Sequence, residues 1–530
     1  MTQHDTDAPW CAVQADTILE VLVHSRRQAP EQPALIFEDG LYVSRGELVE
    51  AVERFAGYLA NHIDPGDRVA IMLGNRTEYM VAWLAVVACR ATLVSLNPAA
   101  QEYDAGHILR DSGARIAVTD DENRDLLERL QPGCPDLHQV LVLAGAEPGG
   151  LAGYHADTPT LESCAAAADR RDITNIYYTS GTTGPPKGCM VDHEYWLRFV
   201  DLFQRRYGLG ADDRLLCCLQ FFYNDPPWQL LLSLHAGTPL VVMRRFSVRR
   251  HWEVASANRV TVIFGIASTA SLLLKAETSQ HDRDHQVRFA LQVGIPTNLH
   301  RDLVDRWGFP WLEGYGLTET GLLTSMPLDQ AEKMIGSGSI GLPCPEVKLR
   351  IVDDAGRDIP TGTVGEIVVR APGLMRGYLN QPEETAKTLR HGWLHTGDVG
   401  STNEDGFVYF HGRQKDIIRR GGENVAAAEV EQVLRGHPAV LEAAVIPVAD
   451  ELRGEEIKAF VVADADAVPP QDLVAFCADR LAKYKIPRYF TYRDTDLPRT
   501  PSMRVKKDTL RANEADIGAD TWDRQHSLGW

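Results

Sequence analysis

A chain of 530 residues with 44% hydrophobic and 24% charged side chains is long enough for several cores and too apolar for disorder. Its formal net charge of −19 argues against bulk binding to nucleic acid or to an anionic membrane, while leaving room for a local basic site. The nine cysteines show no CxxC pair, the start MTQHDTDAPWCAVQ lacks the basic and apolar regions of a signal peptide, and MVAWLAVVACRATLVSL is too short to cross a bilayer. The expectation is a reduced, cytoplasmic protein without membrane insertion, either monomer or homodimer.

Short β-branched runs then alternate with helical stretches. VAIML (residues 69–73) reads as a buried strand and TEYMVAWLAVVACRA as the helix after it; TLVSLN, ARIAVTD, HQVLVLA, PLVVMRR and VTVIFG repeat the strand theme. This alternation predicts parallel, doubly wound sheets with ligands at the strand ends. From residue 340 the texture changes: VKLRIVD, GEIVVRA and GFVYFHG are short strands separated by Gly, Asp and Pro, a small antiparallel, barrel-like part. After HGRQKD the pattern mixes again, with AAAEVEQVLRG and PQDLVAFCADRLAKY as helices and LEAAVIPV and KAFVVAD as strands. The expected class is α/β, with a large N-terminal domain over 1–412 and a small α+β domain over 413–530.

The strongest chemical signal is NIYYTSGTTGPPKGCM, residues 175–190. A strand runs into Thr179, Ser180, Gly181, Thr182, Thr183 and Gly184, and Lys187 follows two prolines. Glycines let backbone N–H groups turn toward an anion, hydroxyls add donors and the lysine adds charge, which is the composition of a phosphate cradle. It is not a Walker A loop, in which the lysine directly follows a glycine.

This stretch resembles the phosphate loop of the adenylate-forming enzymes, the superfamily of acyl-CoA synthetases, luciferases and peptide-synthetase adenylation domains. Further motifs follow in that superfamily's order between residues 20 and 511. GYGLTET (314–320) is similar to the motif that surrounds the adenine, which implies nucleotide contacts for Glu313, Gly314 and Tyr315. Thr318 and Glu319 then fall on the residues that touch phosphate and magnesium, with Glu319 as the metal ligand. VGIP (293–296) places Gly294, Ile295 and Pro296 at the adenine, and LHTGDVG offers Asp398 to the ribose hydroxyls. GRQKDIIRRGGENV resembles the hinge motif, with Arg413 near the ribose, Lys415 as the pivot of a mobile C-terminal lid, and Gly421 and Gly422 on the coenzyme A path. The resemblance implies two steps. A carboxylic acid reacts with ATP and Mg2+ to give an acyl-AMP and pyrophosphate, and coenzyme A then takes the acyl group.

The tail carries a departure. The superfamily's pattern P-x-T-x-S-G-K-V-x-K-x-x-L-R aligns with Pro498, Thr500, Ser502, Val505, Lys507, Leu510 and Arg511, but its glycine is Met503 and its catalytic lysine is Arg504. Arginine keeps the charge while its planar fork is bulkier than an ammonium. Three readings stay open: Arg504 substitutes imperfectly; Lys506, two residues on along an extended segment, serves instead; or adenylation is lost and only acyl-AMP supplied by a separate adenylating enzyme is used. In CLQFFYNDPPWQLLL (218–232), the aromatics Phe222, Tyr223 and Trp228 are candidates to line the acid pocket, which leans toward a bulky apolar acid. The alternatives are a carrier-protein loading enzyme, a luciferase and, from another class, a non-catalytic nucleotide-binding protein.

Overall fold

Residues 15–143, 159–179, 186–266, 269–421, 423–465, 468–493, 496–499, 505–512 and 520–528 are described by the computed structural model. The alternating half of the chain builds two large sheets. In the seven-stranded one, Ile173–Thr179, Thr92–Ser95, Arg68–Met72, Ile116–Thr119 and Gln139–Val142 run parallel side by side. Lys187–Asp192 and Gly377–Tyr378 close one edge as antiparallel strands. The nine-stranded sheet runs from Leu342–Pro343 through Gly321–Ser325, Trp311–Leu317, Phe289–Val293 and Val262–Ile266 to Tyr42–Ser44.

The helix Thr77–Ala88 packs on the seven-stranded sheet, against Arg68–Met72 and Thr92–Ser95. Every one of its residues is buried, as expected of a helix that is apolar all round and must be covered on all sides. Trp83 packs edge-on against Trp196, with ring centroids 5.6 Å apart, and its indole N–H donates to Asn175 Oδ1 at 3.0 Å.

The Gly/Asp/Pro-punctuated stretch forms a five-stranded antiparallel sheet containing Lys348–Val352, Gly365–Arg370, Trp393–Thr402 and Val408–Arg413. Behind it, a separate core gathers Ile418, Val430, Leu434, Ile457, Val461 and Phe490 under a six-stranded sheet. Helix Ala427–Arg435 turns Ala427, Val430 and Leu434 into that core. One expected element is shorter than its sequence pattern: the helix starting at Pro470 ends at Ala478 rather than continuing to Tyr484. Leu481 N–H turns back to Cys477 O, and a 3-10 turn at Lys483–Lys485 leads into Ile486–Pro487, where the proline disfavours helix in the residue before it. No described helix is long and apolar enough to cross a membrane.

Among the described residues, the small module meets the large one through its helix Ala427–Arg435, beside Val408–Arg413, and through side chains. Gln432 donates to Thr297 Oγ1, and Lys275 Nζ lies 3.4 Å from Leu441 O.

Candidate active site

Two hairpins and one strand pair build the site. The first hairpin pairs Ile173–Thr179 with Lys187–Asp192, and Thr179 faces Lys187 as the last rung before the phosphate-like loop. Ser180, Gly181, Thr182, Thr183 and Gly184 lie outside the described residues. Lys187 Nζ makes a 2.5 Å ion pair with Glu384 and sits 5.4 Å from the centre of the Tyr378 ring. Hydrogen bonds from Lys187 and then Lys387 hold the Glu384 carboxyl down to about 2.

The second hairpin, Trp311–Leu317 with Gly321–Ser325, carries GYGLTET. Gly316 is required by contact: a Cβ there would stand 2.2 Å from the carbonyl oxygen of Gly321. Leu317 N–H donates to Thr320 Oγ1 at 3.1 Å, which tightens the turn that presents Thr318 and Glu319, both half-buried. Tyr378 OH donates to Glu319 Oε1 at 2.8 Å. Lys187, Tyr378 and Glu319 therefore join the two hairpins.

The fit of a magnesium ion can be judged from this carboxylate. Among the described residues, no three His, Cys, Asp or Glu side chains converge as a metal cage. Glu319 Oε2 has no protein hydrogen bond among those residues, whereas Oε1 is fixed by Tyr378. One oriented carboxylate with an open oxygen suits Mg2+ shared with nucleotide phosphates, the usual arrangement for this small hard cation.

On the other side of the turn, Tyr315 OH donates to Asp398 Oδ2 at 2.6 Å, and burial pushes the Tyr315 hydroxyl well up. Asp398, 2% exposed, pairs at 3.2 Å with Arg413, its cross-strand neighbour in the antiparallel ladder. Glu313 plays a backbone-holding part. Its two carboxylate oxygens accept from Gly294 N at 2.7 Å and Ile295 N at 2.6 Å, fixing the turn that continues into Pro296. Burial pushes the Glu313 carboxyl up to about 8, against the pull of those amides. Gly314 packs beneath, between Leu322 and Leu291.

The C-terminal module brings the Lys415 segment and the tail. Lys415 lies in a single 3-10 turn, Gln414–Asp416. Gly421 takes a φ of 59° at the tip of the hairpin after it, a left-handed value that favours glycine, and Gly422 is outside the described residues. In the tail, Lys507 Nζ reaches Glu431 at 2.6 Å and Asp416 at 3.9 Å, while Arg511 pairs with Asp416 at 2.7 Å. Lys506 is exposed, and Arg504 lies outside the described residues.

The three pocket aromatics separate. Phe222 and Tyr223 are half-buried with ring centroids 4.3 Å apart. Trp228 is 1% exposed and stacks on Phe199 and Phe203 at 5.3 and 4.5 Å, with Phe264 edge-on at 5.0 Å. The space left beside it is about 10 Å³, room for one water.

Sequence reasoning missed Tyr378, Glu384 and Phe410. Phe410 lies 5.8 Å from Tyr315, ring centre to ring centre, and is 37% exposed. A bulky aromatic left in solvent three residues before Arg413 is the signal that could have found it.

Comparison with known proteins agrees with this layout. The model of the AMP-binding enzymes matches residues 22–379, and that of the AMP-binding enzyme C-terminal domain matches 429–504. Crotonobetaine/carnitine–CoA ligase of Citrobacter koseri is 32% identical over 90% of this chain and 95% of its own length. The fatty acid–[acyl-carrier-protein] ligase ScoC of Streptomyces coeruleorubidus is 32% identical over 94% of this chain and 96% of its own. ATP-bound MatB from Rhodopseudomonas palustris superposes with a TM-score of 0.82 at 28% identity, covering 95% of this chain and 100% of that one. o-Succinylbenzoate CoA synthetase (MenE) of Bacillus subtilis, in complex with its acyl-adenylate, gives 0.79 at 29% identity, covering 93% and 97%. The chain belongs to the AMP-binding enzymes, as an AMP-forming acid–thiol ligase of the acyl-CoA synthetase type that uses ATP, Mg2+ and coenzyme A.

Proposed function

We propose that the protein's main activity is the second half of the ligase reaction, transfer of an acyl group from acyl-AMP to coenzyme A, with adenylation weakened by Arg504. In this reading Asp398 and Arg413 hold the ribose, Tyr315 and the Gly294–Pro296 turn hold the adenine, and Glu319 shares the magnesium with the phosphates. Lys187 meets the phosphates, Thr318 supplies a hydroxyl donor, and the hinge at Lys415 brings the Gly421–Gly422 turn to the thiol path. The carrying observation is the uneven state of the machinery. Asp398 is tied to Tyr315, and Glu319 through Tyr378 to Lys187, and the tail is anchored through Lys507 and Arg511, yet the lysine position of the tail pattern holds Arg504.

Adenylation gathers negative charge on the α-phosphoryl oxygens, and a misplaced cation there costs about 10²–10³ in rate. Thioester formation does not use that group. A separate adenylating enzyme would then supply the acyl-AMP. The second reading is a full two-step synthetase in which exposed Lys506 reaches the phosphate. For the acid, Trp228 is taken up by its stacking on Phe199 and Phe203, which leaves the half-buried Phe222 and Tyr223 as the aromatics to meet it.

Two assays test this. Pyrophosphate exchange with a panel of acids reads step one, and synthetic acyl-AMP with coenzyme A reads step two. We expect strong turnover only in the second, and recovery of exchange in Arg504→Lys. Exchange at ordinary synthetase rates in the unaltered protein overturns the weakened-adenylation reading, and its loss in Lys506→Ala would assign the step to Lys506.

A further inference from the structure

We infer that the protein carries a second ligand site, for a carboxylate with a short aliphatic body, on the underside of the phosphate-loop hairpin. A cavity of about 350 Å³ opens there, bounded by Arg68, Arg90, Asp172, Ile176, Met190 and Leu379. Small-molecule sites span about 300–1,000 Å³. Arg68 starts one parallel strand and Arg90 shortly precedes the next, so the cavity lies at the amino ends of the strands. The phosphate loop leaves the opposite, carboxyl end, after Thr179. The two sites are therefore distinct.

The lining divides by chemistry. Ile176, Leu379 and Met190 give an apolar wall, the first two 1% and 6% exposed. Arg90 and Asp172 neutralise each other through bonds of 2.7 and 3.1 Å. Arg68 is different. It gives one N–H to Ser112 O at 2.7 Å, at the end of helix Glu102–Ser112, and has no carboxylate within ion-pair distance among the described residues. A guanidinium carries five donors in a fork that matches a carboxylate. Its Nη1 end is turned to the Ser112–Gly113 corner, where Asp136 also lies; the remaining N–H groups of the fork have capacity for an anion, and the wall beside it suits an alkyl chain.

An occupant would touch the reaction site from behind. Ile176 and Met190 face each other across the ladder that ends in Thr179 and Lys187. Leu379 N–H donates to Gly188 O at 2.8 Å and follows Tyr378, whose hydroxyl holds Glu319. Filling the cavity therefore bears on the hairpin that presents the phosphate loop, and the site is placed to couple to ATP affinity.

The test uses the full chain saturated with hexanoyl-sulfamoyl-adenosine, which blocks the adenylate site; saturation is read first as a rise in Tm. Hexanoate binding is then followed by saturation-transfer NMR. We expect binding to persist, to weaken at least tenfold in Arg68→Met with acyl-AMP turnover and Tm unchanged, and to be partly kept in Arg68→Lys. Hexylamine, with the same chain and the opposite charge, should not compete. Should Arg68→Met fail to fold, the hexylamine comparison on the unaltered protein still decides. Loss of hexanoate binding on saturation, equal binding to Arg68→Met, or equal binding of hexylamine overturns the proposal.

Discussion

The nucleotide side of the site and the basic tail are both charged, but their charges are held in different ways. On the side proposed to hold the nucleotide, groups are tied to one another between strands and turns: Asp398 to Tyr315 and Arg413, Glu319 to Tyr378, Glu313 to two backbone amides. In the tail, Lys507 and Arg511 are tied to the hinge region through Asp416 and Glu431, while Lys506 is left exposed. A preorganised field stabilises charge that develops in both half-reactions. A tail locked to the hinge can instead move with it, and its chemistry is confined to whichever conformation brings it in. The contrast predicts that damage to the first region is deep and affects both steps, and that damage to the second is shallower and one-sided.

The largest effect tests the first half of that contrast. Asp398→Ala removes the acceptor of Tyr315 OH and the partner of Arg413 at a buried position. Both pyrophosphate exchange and acyl-AMP turnover should fall by about 10³, combining a lost transition-state contact with an unpaired cation. A fall in only one of the two rates would mean that Asp398 does not hold the nucleotide through the whole cycle.

Lys507→Ala tests the other half. It frees the tail from Glu431 and leaves that buried carboxylate with its bond from Val445 N–H at 2.7 Å. Exchange should drop about tenfold, because misplacing a group by an ångström or so is costly. Acyl-AMP turnover should change by less than about threefold, since the tail is not at the reacting atoms in that step. Equal losses in both assays would make Lys507 a simple stability residue.

The sequence disclosed most of this where the chemistry is local. The GYGLTET turn is a short stretch in which Gly316 is dictated by close approach to the Gly321 carbonyl. Partners from far along the chain were not legible. Glu384 pairs with Lys187 from 197 positions away, and nothing in a surface-like helix Pro382–Thr388 marks one glutamate over its neighbours. Trp228 was open to two readings. An aromatic in a pocket-forming stretch reads the same whether it faces a ligand or stacks on Phe199 and Phe203, and only the packing distinguishes the two.

Glu384→Gln probes a contact between these extremes. Lys187 must leave its carboxylate partner before it can meet a phosphate. Glu384 stays ionised throughout the working range, since its carboxyl is held down to about 2. Its contribution as a depressed acid is present above the ordinary carboxylate range and is lost only as pH falls toward 2, so the pair competes with ATP at every pH of interest. The pair is part-exposed, and such pairs are worth about 0.2–1 kcal/mol. KM for ATP should therefore fall by about threefold in Glu384→Gln, with kcat little changed. A rise in KM would show that Glu384 aims Lys187 rather than detaining it.

The smallest effect is a pH dependence on the adenine side. Glu313 is an acid whose folded pKa, about 8, is raised above its ordinary value of 4.5 by burial. The sign follows from proton binding: below pH 4.5 both states hold the proton, and between 4.5 and 8 only the folded state does. Its stabilising contribution is thus fully present below 4.5 and is lost as pH rises through 8, where ionising Glu313 leaves a buried charge supported by the Gly294 and Ile295 amides and, more weakly, by that of Gly314. In the unaltered protein, this carboxyl should lower Tm by about 2 °C between pH 6 and pH 9, and Glu313→Gln should lack that component. The glutamine can still accept one of the two amide bonds, so ATP affinity at pH 6 should weaken only modestly. An unchanged slope of Tm against pH in Glu313→Gln would mean that the two amides keep the carboxylate ionised throughout, and that the adenine turn is held by charge at every working pH.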